Sequence, residues 1–327
     1  MRSLPLPGVA VFAAIAVLPF LTGSSYLHHV MVLWLLFALL ALSLNVIIGY
    51  LGELSFGHAA FFGLGAYASA VLTLQTGAPV WLGLVFAGVL AGMAGFAIGY
   101  VSLRIVGPQF AILTLGFGSI IYTVTNYWVD LTRGPMGITN IPPLTLPIVG
   151  PLTEARGYFG VVLACVALFA YACHALMTSR TGRAFLAVRE NAPLAASLGI
   201  DVFRTKLLGF VTATVVAGVA GGLYAHYLRV ITPELMSLHY MAALIIMVVV
   251  GGRGTIIGPI LGAAIYVVLL EVLRAFGPAR LIVFAALLTL SVIFLPNGLV
   301  SLWPRLMAAR DRRRARLVSP ADAETSP

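Results

Sequence analysis

Long apolar runs, almost free of charged side chains, constrain this chain more than any other feature of its sequence. Stretches such as Val30–Ile48 and Val80–Leu103 contain no Asp, Glu, Lys or Arg. About 20 apolar residues allow a helix to cross a bilayer. Backbone groups in lipid must form internal hydrogen bonds, which restricts spans to helices or a closed barrel. Because the runs do not alternate with polar residues, they predict membrane-spanning helices.

The composition agrees with a protein that is dissolved in lipid. Only 9% of the 327 residues are charged, 61% are hydrophobic, and the mean hydropathy is +1.06. Ordinary globular chains carry about 25% charged residues. We therefore predict an all-α, polytopic transmembrane bundle of roughly eight to ten spans. It forms a single domain over residues 1–303, followed by a basic, disordered tail over residues 304–327 that lies near anionic lipid.

The apolar segments also predict the spans and their orientation. The candidates are Gly8–Thr22, Val30–Ile48, Gly57–Leu74, Val80–Leu103, Gln109–Trp128, Tyr158–Met177, Leu207–Leu228, Tyr240–Val250, Ile256–Leu273 and Leu281–Leu295. Tyr240–Val250 is too short to cross alone. Arg and Lys concentrate at the N-terminus, in the loop 178–206 and in the tail, which predicts that these parts are cytoplasmic. Both termini then lie inside, and the number of spans is even.

Two glycine-rich segments, Gly49–Tyr67 and Val250–Tyr266, interrupt the lipid-like pattern. Glycine-interrupted segments at comparable positions in two halves of a transporter indicate a transport path. The alternative is a pair of tight turns between helices at the membrane surface, and the sequence favours neither. The candidate path residues are Gly52, Ser55, Phe56, Gly57, His58, Gly251, Gly252, Gly254 and Gly258.

A few ionisable residues lie close to membrane depth, where such groups usually have a function. For Glu53 we favour a structural role, in which its carboxylate caps the following helix. His58 precedes an apolar run and is expected to hydrogen-bond a neighbouring helix. Glu271 and Arg274 lie three residues apart on a predicted helix and are expected to pair.

The loop 178–206 contains the pattern of a short helix. Asn191 can cap its N-terminus and Gly199 can end it. Leu194 and Leu198 then lie on one face, four residues apart. A capped amphipathic helix suits docking into a groove of a partner protein. The alternative is a helix that lies on the lipid surface.

Motifs of several enzyme classes are missing from the sequence. It has no GxxxxGKS/T loop, so the chain itself is not expected to bind and hydrolyse ATP. It also lacks HExxH, a CxxC pair and GxSxG, and its six scattered histidines offer little for a metal site. We therefore expect no catalytic residues, no cofactor and no metal in this chain, and no nucleic-acid partner.

Four segments carry motifs that are specific in combination. They are LNVIIGYLGELSFGHAAFFGLGAY (Leu44–Tyr67), TRGPMGI (Thr132–Ile138), SRTGRAFLAVREN with AASLGI (Ser179–Ile200) and MVVVGGRGTIIGPILGA (Met247–Ala263). In this order they resemble the permease subunits of branched-chain amino acid ABC importers, in particular the longer, M-type, of the two paralogous permeases. The resemblance covers most of residues 30–300.

The resemblance implies a multi-pass inner-membrane subunit with several partners. These are a second paralogous permease, two cytosolic P-loop ATPases that bind the ATP, and a periplasmic substrate-binding protein. It implies that Arg189–Gly199 is the coupling helix that contacts an ATPase, and that Gly49–Gly65 and Gly251–Gly262 border the translocation path. The coupling residues are Arg183, Arg189, Glu190, Asn191, Leu194, Leu198 and Gly199.

The chain departs from the family pattern at two positions. The residue at the position of Glu53 is usually uncharged in similar proteins, which speaks against a role of Glu53 shared across the family. An acidic residue commonly follows the REN triplet, where this chain has Ala192. The second departure could alter pairing with the ATPase.

Three functional hypotheses remain. The resemblance predicts an ABC permease in which ATP hydrolysis on separate chains drives alternating access through the coupling helix. A self-contained secondary transporter of a small polar solute would need coupling residues at the midplane, and this chain offers few. A membrane enzyme would need a cluster of catalytic polar residues. The substrate stays open among leucine, isoleucine and valine, other amino acids, urea, amides and aromatic acids.

Overall fold

The computed structural model describes residues 15, 24–105, 107–146, 150–152, 154–274 and 298–299. The predicted span Gly8–Thr22 (apart from Ile15), the predicted span Leu281–Leu295 and the tail 304–327 lie outside the described residues. Within them, six helices are long and apolar enough to cross a membrane. The chain is therefore a polytopic helical bundle, as the sequence predicts.

The elements follow one another in a largely helical order. The helices are α1 (Ser25–Asn45), α2 (His58–Thr76), α3 (Val80–Ser102), α4 (Pro108–Tyr127), α5 (Val129–Thr132), α6 (Ala155–Thr178), α7 (Arg180–Glu190), α8 (Ala192–Ser197), α9 (Val202–Leu228), α10 (Leu238–Gly251) and α11 (Ile257–Val272). The short strands are β1 (Ile138–Thr139), β2 (Thr145–Leu146), β3 (Gly150–Pro151) and β4 (Val230–Ile231). Single 3-10 turns cover Gly134–Met136 and Pro233–Met236.

Helix α9 begins earlier than its apolar run predicts. The run predicts Leu207–Leu228, but α9 begins at Val202. Asp201 caps this helix, because its carboxylate accepts the backbone N–H of Arg204 at 3.0 Å. The first turns of α9 are polar, so hydropathy alone does not show them.

Helix α1 continues as a π-helical turn over Val46–Leu51. The predicted span Val30–Ile48 therefore lengthens to Ser25–Leu51. The turn ends at Gly52, whose φ of 75° lies in the left-handed region that glycine enters without strain. The backbone is then non-helical as far as Gly57.

Helix α9 packs against α1, α2 and α3, and small residues allow the close approach. Four glycines form a stripe along α3, and a Cβ at each would meet side chains of α9. These glycines are Gly88, Gly92, Gly95 and Gly99. On α9, a Cβ at Gly221 would lie 1.9 Å from the backbone oxygen of Phe62 in α2.

The Gly221→Ala variant is expected to lose stability, because the backbones of α2 and α9 must move apart. Overpacking of this kind costs about 1–3 kcal/mol, and thermal unfolding in detergent measures it. Gly160→Ala on α6 is the matched control, since a Cβ at Gly160 meets nothing within 4 Å. Alanine favours a helix over glycine, so the control should match or exceed the wild type. Equal midpoints for both variants would contradict the packing described for Gly221.

Within the described residues, the segment between α4 and α6 consists of turns, short strands and one short helix, α5, and it is rich in proline. Strand β1 pairs antiparallel with β4, which follows α9. Trp81 Nε1 donates to the backbone oxygen of Thr145 at 2.8 Å, and His226 Nδ1 to that of Pro142 at 2.7 Å. His226 lies near the end of α9, so this loop covers the end of the bundle opposite to α8.

Helices α10 and α11 form a hairpin of shorter apolar helices. Helix α10 has 14 residues, about 21 Å, which is less than the hydrocarbon thickness of roughly 30 Å. This agrees with the prediction that Tyr240–Val250 is too short to cross alone. The predicted pair near the end of α11 is confirmed, with Arg274 Nη1 at 3.5 Å from Glu271 Oε1.

Candidate functional site

The loop between α6 and α9 folds into the helices α7 and α8, which are both capped. The hydroxyl of Ser179 accepts the backbone N–H of Gly182 at 3.3 Å. The side-chain oxygen of Asn191 accepts the N–H of Leu194 at 3.0 Å. Gly199 follows α8 with a φ of 84°. The predicted cap and stop of the short helix are therefore confirmed.

The helix that the resemblance implies over Arg189–Gly199 is in fact two elements. Arg189 and Glu190 belong to the last turn of α7, and α8 has six residues. Asn191 between them is extended, with φ −158° and ψ 97°. Pro193 explains the break, since in a continuous helix its ring would clash with the carbonyl of Arg189.

Helix α8 leaves an apolar face uncovered by the described residues. Leu194 is 57% exposed and Leu198 is 74% exposed, whereas Ala195 is buried. Arg183 on α7 is also exposed, and its Nη1 donates to the backbone oxygen of Thr178 at 3.3 Å. Both alternatives for this helix, docking into a partner protein and lying on the lipid surface, require such an exposed apolar face.

Arg189 reaches from the end of α7 to the first glycine-rich segment. Its Nη1 donates to the backbone oxygen of Gly49 at 2.7 Å. Gly49 lies in the last turn of the π-helical segment, where carbonyls lack partners further along the helix and the dipole favours a cation. A Cβ at Gly52 would lie 2.6 Å from Arg189 Cγ. The arginine stem therefore lies directly against Gly52.

Asn45 joins the two glycine-rich segments. Its side-chain oxygen accepts the N–H of Gly254 at 2.8 Å, and its Nδ2 donates to the backbone oxygen of Thr255 at 2.8 Å. Asn45 is 1% exposed, so both bonds are shielded from water. A Cβ at Gly49 would lie 2.4 Å from Gly254 N. The two segments thus contact each other backbone to backbone, beside the end of α7.

Glu53 forms an ion pair with Lys206 in the first turns of α9. The side chains are 16% and 10% exposed, respectively, so the pair is largely buried. The predicted capping of α2 by Glu53 is wrong, because α2 begins only at His58 and no side chain caps it. We call the residues that connect these segments the junction. It consists of Asn45, Gly49, Gly52, Glu53, Arg189, Lys206, Gly254 and Thr255.

In the first glycine-rich segment, the predicted path residues Ser55, Gly57 and His58 are buried in the bundle. His58 Nε2 lies 2.8 Å from the hydroxyl of Ser43 on α1, which confirms the expected hydrogen bond to a neighbouring helix. A Cβ at Gly57 would lie 2.2 Å from the backbone oxygen of Thr114 in α4. Ser55 Oγ and His58 Nδ1 have no hydrogen-bond partner in the part of the chain that the structure describes.

The predicted path glycines of the second segment form a tight helical hairpin. A Cβ at Gly251 would lie 2.0 Å from the backbone oxygen of Gly258. Gly252 and Gly254 adopt φ values of 124° and 74°, which favour glycine. This geometry is that of a turn between helices, and the role of these glycines beside a transport path stays a prediction.

Phe56, another predicted path residue, lines an open cavity. The cavity has a volume of about 280 Å³ and lies between α4 and the turn before α10. Its polar wall consists of Ser119, Tyr122 and Ser237, which the sequence analysis missed. Ser119 and Tyr122, which belong to α4, are exposed. The sequence pattern that indicates them is the recurrence of hydroxyl groups along a spanning helix, because such groups seldom face lipid.

The described residues contain no group of His, Cys, Asp and Glu side chains that could hold a metal ion. Cys165 and Cys173 are free thiols. Hydrogen bonds and one ion pair connect an exposed loop helix to the ends of the spanning helices.

Comparisons with known proteins agree on one family. The family "Branched-chain amino acid transport system / permease component" matches residues 26–295. The high-affinity branched-chain amino acid transport system permease protein LivM of Escherichia coli (strain K12) is 32% identical over 314 residues, which cover 89% of this chain and 74% of that protein. LivM of Salmonella typhimurium is 32% identical over 288 residues, 81% of this chain and 68% of that protein.

The high-affinity branched-chain amino acid transport system permease protein LivH of Escherichia coli (strain K12) is also similar to this chain. It is 29% identical over 290 residues, which cover 81% of this chain and 91% of that protein. The chain thus resembles the M-type permeases more than the H-type. No solved structure matches the chain significantly.

Proposed function

Because the chain belongs to the family of permease components of branched-chain amino acid transport systems, we propose that it is one permease subunit of an ABC importer for branched-chain amino acids. The observation that carries this proposal is the exposed face of α8. Leu194 and Leu198 point away from the bundle, on a helix whose flanks are bound to it. An exposed apolar helix face suits docking into a groove of a partner protein.

The proposed energy source is a pair of cytosolic P-loop ATPases. This sequence has no GxxxxGKS/T loop, so ATP binds to the partner chains. One ATPase contacts the face of α8, and the exposed Arg183 and Glu190 provide charged groups around it. Hydrolysis then moves α8, and the bundle alternates between inward-open and outward-open states.

The proposed translocation path runs along α4, where a second permease covers it. Ser119, Tyr122 and Thr123 are exposed on this helix, and polar groups are unfavourable against lipid but not against a protein or a water-filled path. The cavity beside Phe56 opens on the same side. The similarity to both LivM and LivH supports a paralogous permease as the partner.

The proposed membrane is the inner membrane, with the loop of α7 and α8 and both termini in the cytoplasm. The cluster of basic residues in this loop supports that orientation. The proline-rich loop at the opposite end then faces the periplasm, where a substrate-binding protein docks. That protein selects the substrate, and branched-chain amino acids are the class that the relatives' names support.

Affinity purification of the tagged chain in mild detergent tests the proposed assembly. We expect a P-loop ATPase and a second permease to co-purify, and both are identified by mass. A chain that purifies without any ATPase, under conditions in which substrate uptake by the same membranes is intact, would contradict the proposal.

A further inference from the structure

We infer that Arg189 and Lys206 are positioning residues that bind both flanks of α8 to one backbone segment, Gly49–Glu53, and so transmit movement of α8 into the bundle. The inference rests on the proposed function, in which α8 contacts an ATPase. It adds the side chains through which that contact acts on the spanning helices.

The two cations flank α8 in the chain. Arg189 precedes the helix, on the last turn of α7, and Lys206 follows it in the first turns of α9. Both side chains reach back to the same short segment, Gly49–Glu53. A helix of six residues has little stability of its own. The orientation of α8 therefore depends on the contacts that Arg189 and Lys206 make on either side of it.

The contact of Arg189 is held from two sides. Nη1 donates to Gly49 O at 2.7 Å, while Nη2 donates to the carboxylate of Glu190 at 2.7 Å. A guanidinium whose donors are engaged on both edges is fixed in orientation as well as position. The close approach of its stem to Gly52 leaves no room for a side chain there.

The contact of Lys206 is largely buried, and its partner is also fixed. The backbone N–H of Glu53 donates to Ile47 O at 3.1 Å, which ties Glu53 to the π-helical turn. Lys206 is the only lysine in the chain. An ion pair shielded from water depends strongly on geometry, because neither charge is solvated once the partner moves.

Movement of this segment reaches the second glycine-rich turn through Asn45. The side chain of Asn45 bonds Gly254 N and Thr255 O, which lie in the turn between α10 and α11. The chain of contacts from α8 to α10 and α11 is therefore continuous. Asn45 is joined to the segment Gly49–Glu53 along the π-helical turn, and the links to α7, α9 and the second glycine-rich turn are hydrogen bonds and an ion pair between elements distant in sequence.

The test measures coupling in the reconstituted complex. Substrate uptake and ATP hydrolysis are recorded in the same proteoliposomes for wild type, Glu53→Gln and Lys206→Met. We expect both variants to assemble with the ATPase and to hydrolyse ATP. The ATP hydrolysed per substrate transported should rise about tenfold, as typical for residues that carry coupling.

Two further variants separate positioning from mere stability. Lys206→Arg keeps a cation and should restore most of the wild-type ratio. The double variant Glu53→Gln, Lys206→Met should match the single variants within about twofold, since the pair acts as a unit. Arg274→Gln is the control, because it removes the cation of another intrachain ion pair, far from α8, and should leave the ratio unchanged.

An unchanged ratio in Glu53→Gln, or effects of the two single variants that multiply in the double variant, would overturn the inference. If Lys206→Met does not assemble, Glu53→Gln and Lys206→Arg still decide between the outcomes. Failure of the proposed function would be distinguishable from failure of this inference, because the wild-type preparation would then contain no ATPase at all.

Discussion

Replacing Leu194 and Leu198 together with aspartate is expected to abolish ATPase binding while the chain still inserts and folds. Both side chains are exposed, so the bundle does not depend on them. At an interface, each leucine contributes about 1.5–3 kcal/mol through burial. Losing two therefore weakens binding by at least about a hundredfold. Co-purification of the ATPase and uptake in whole cells measure the loss.

Ala196→Asp is the matched control for this double variant. Ala196 is exposed on the same helix but on the side away from the two leucines. The control adds a charge without touching the apolar face, so the ATPase should remain bound. A double variant with a normal yield of complex and normal uptake would show that α8 is not the docking helix.

Replacing Gly251 with leucine is expected to stop uptake almost completely. A Cβ at this position would lie 2.0 Å from Gly258 O, and that atom belongs to the backbone of the facing helix. Helices α10 and α11 must therefore separate, which moves the turn that Asn45 holds. Gly57→Leu should act similarly, because its Cβ would lie 2.2 Å from Thr114 O in α4. Uptake should fall at least about tenfold in both, since overpacking of one methylene already costs about 1–3 kcal/mol.

Gly160→Leu on α6 controls for the added side chain, because the space around Gly160 is open. Size-exclusion profiles of all three variants show whether the complex still forms. Wild-type uptake by Gly251→Leu and Gly57→Leu would mean that the two helix pairs tolerate separation, contrary to the contacts described above.

The spanning helices could be predicted well from sequence because their signal is local. The run Val80–Leu103 predicts α3 to within one residue of its observed end at Ser102. The cap at Asn191 and the stop at Gly199 were also readable, since both act within one turn of their own residue. The predicted helix boundaries differ from the observed ones where a helix begins with polar residues, as α9 does.

The junction could not be predicted, because its links join residues far apart in the chain. Glu53 and Lys206 are 153 residues apart, and Asn45 and Thr255 are 210 residues apart. No periodicity relates such positions. Glu53 is an example: its position in the sequence predicts that it caps the nearest helix terminus, whereas in the structure it forms an ion pair with Lys206.

The most direct test of the proposed function is ATP-driven uptake by the reconstituted complex. Proteoliposomes would contain this chain, the co-purified permease and the ATPases, together with the binding protein and labelled leucine. We expect accumulation that requires ATP and the binding protein and that disappears in the Leu194→Asp, Leu198→Asp variant. Accumulation by this chain alone, driven by an ion gradient without ATP, would contradict the importer and point to a secondary transporter.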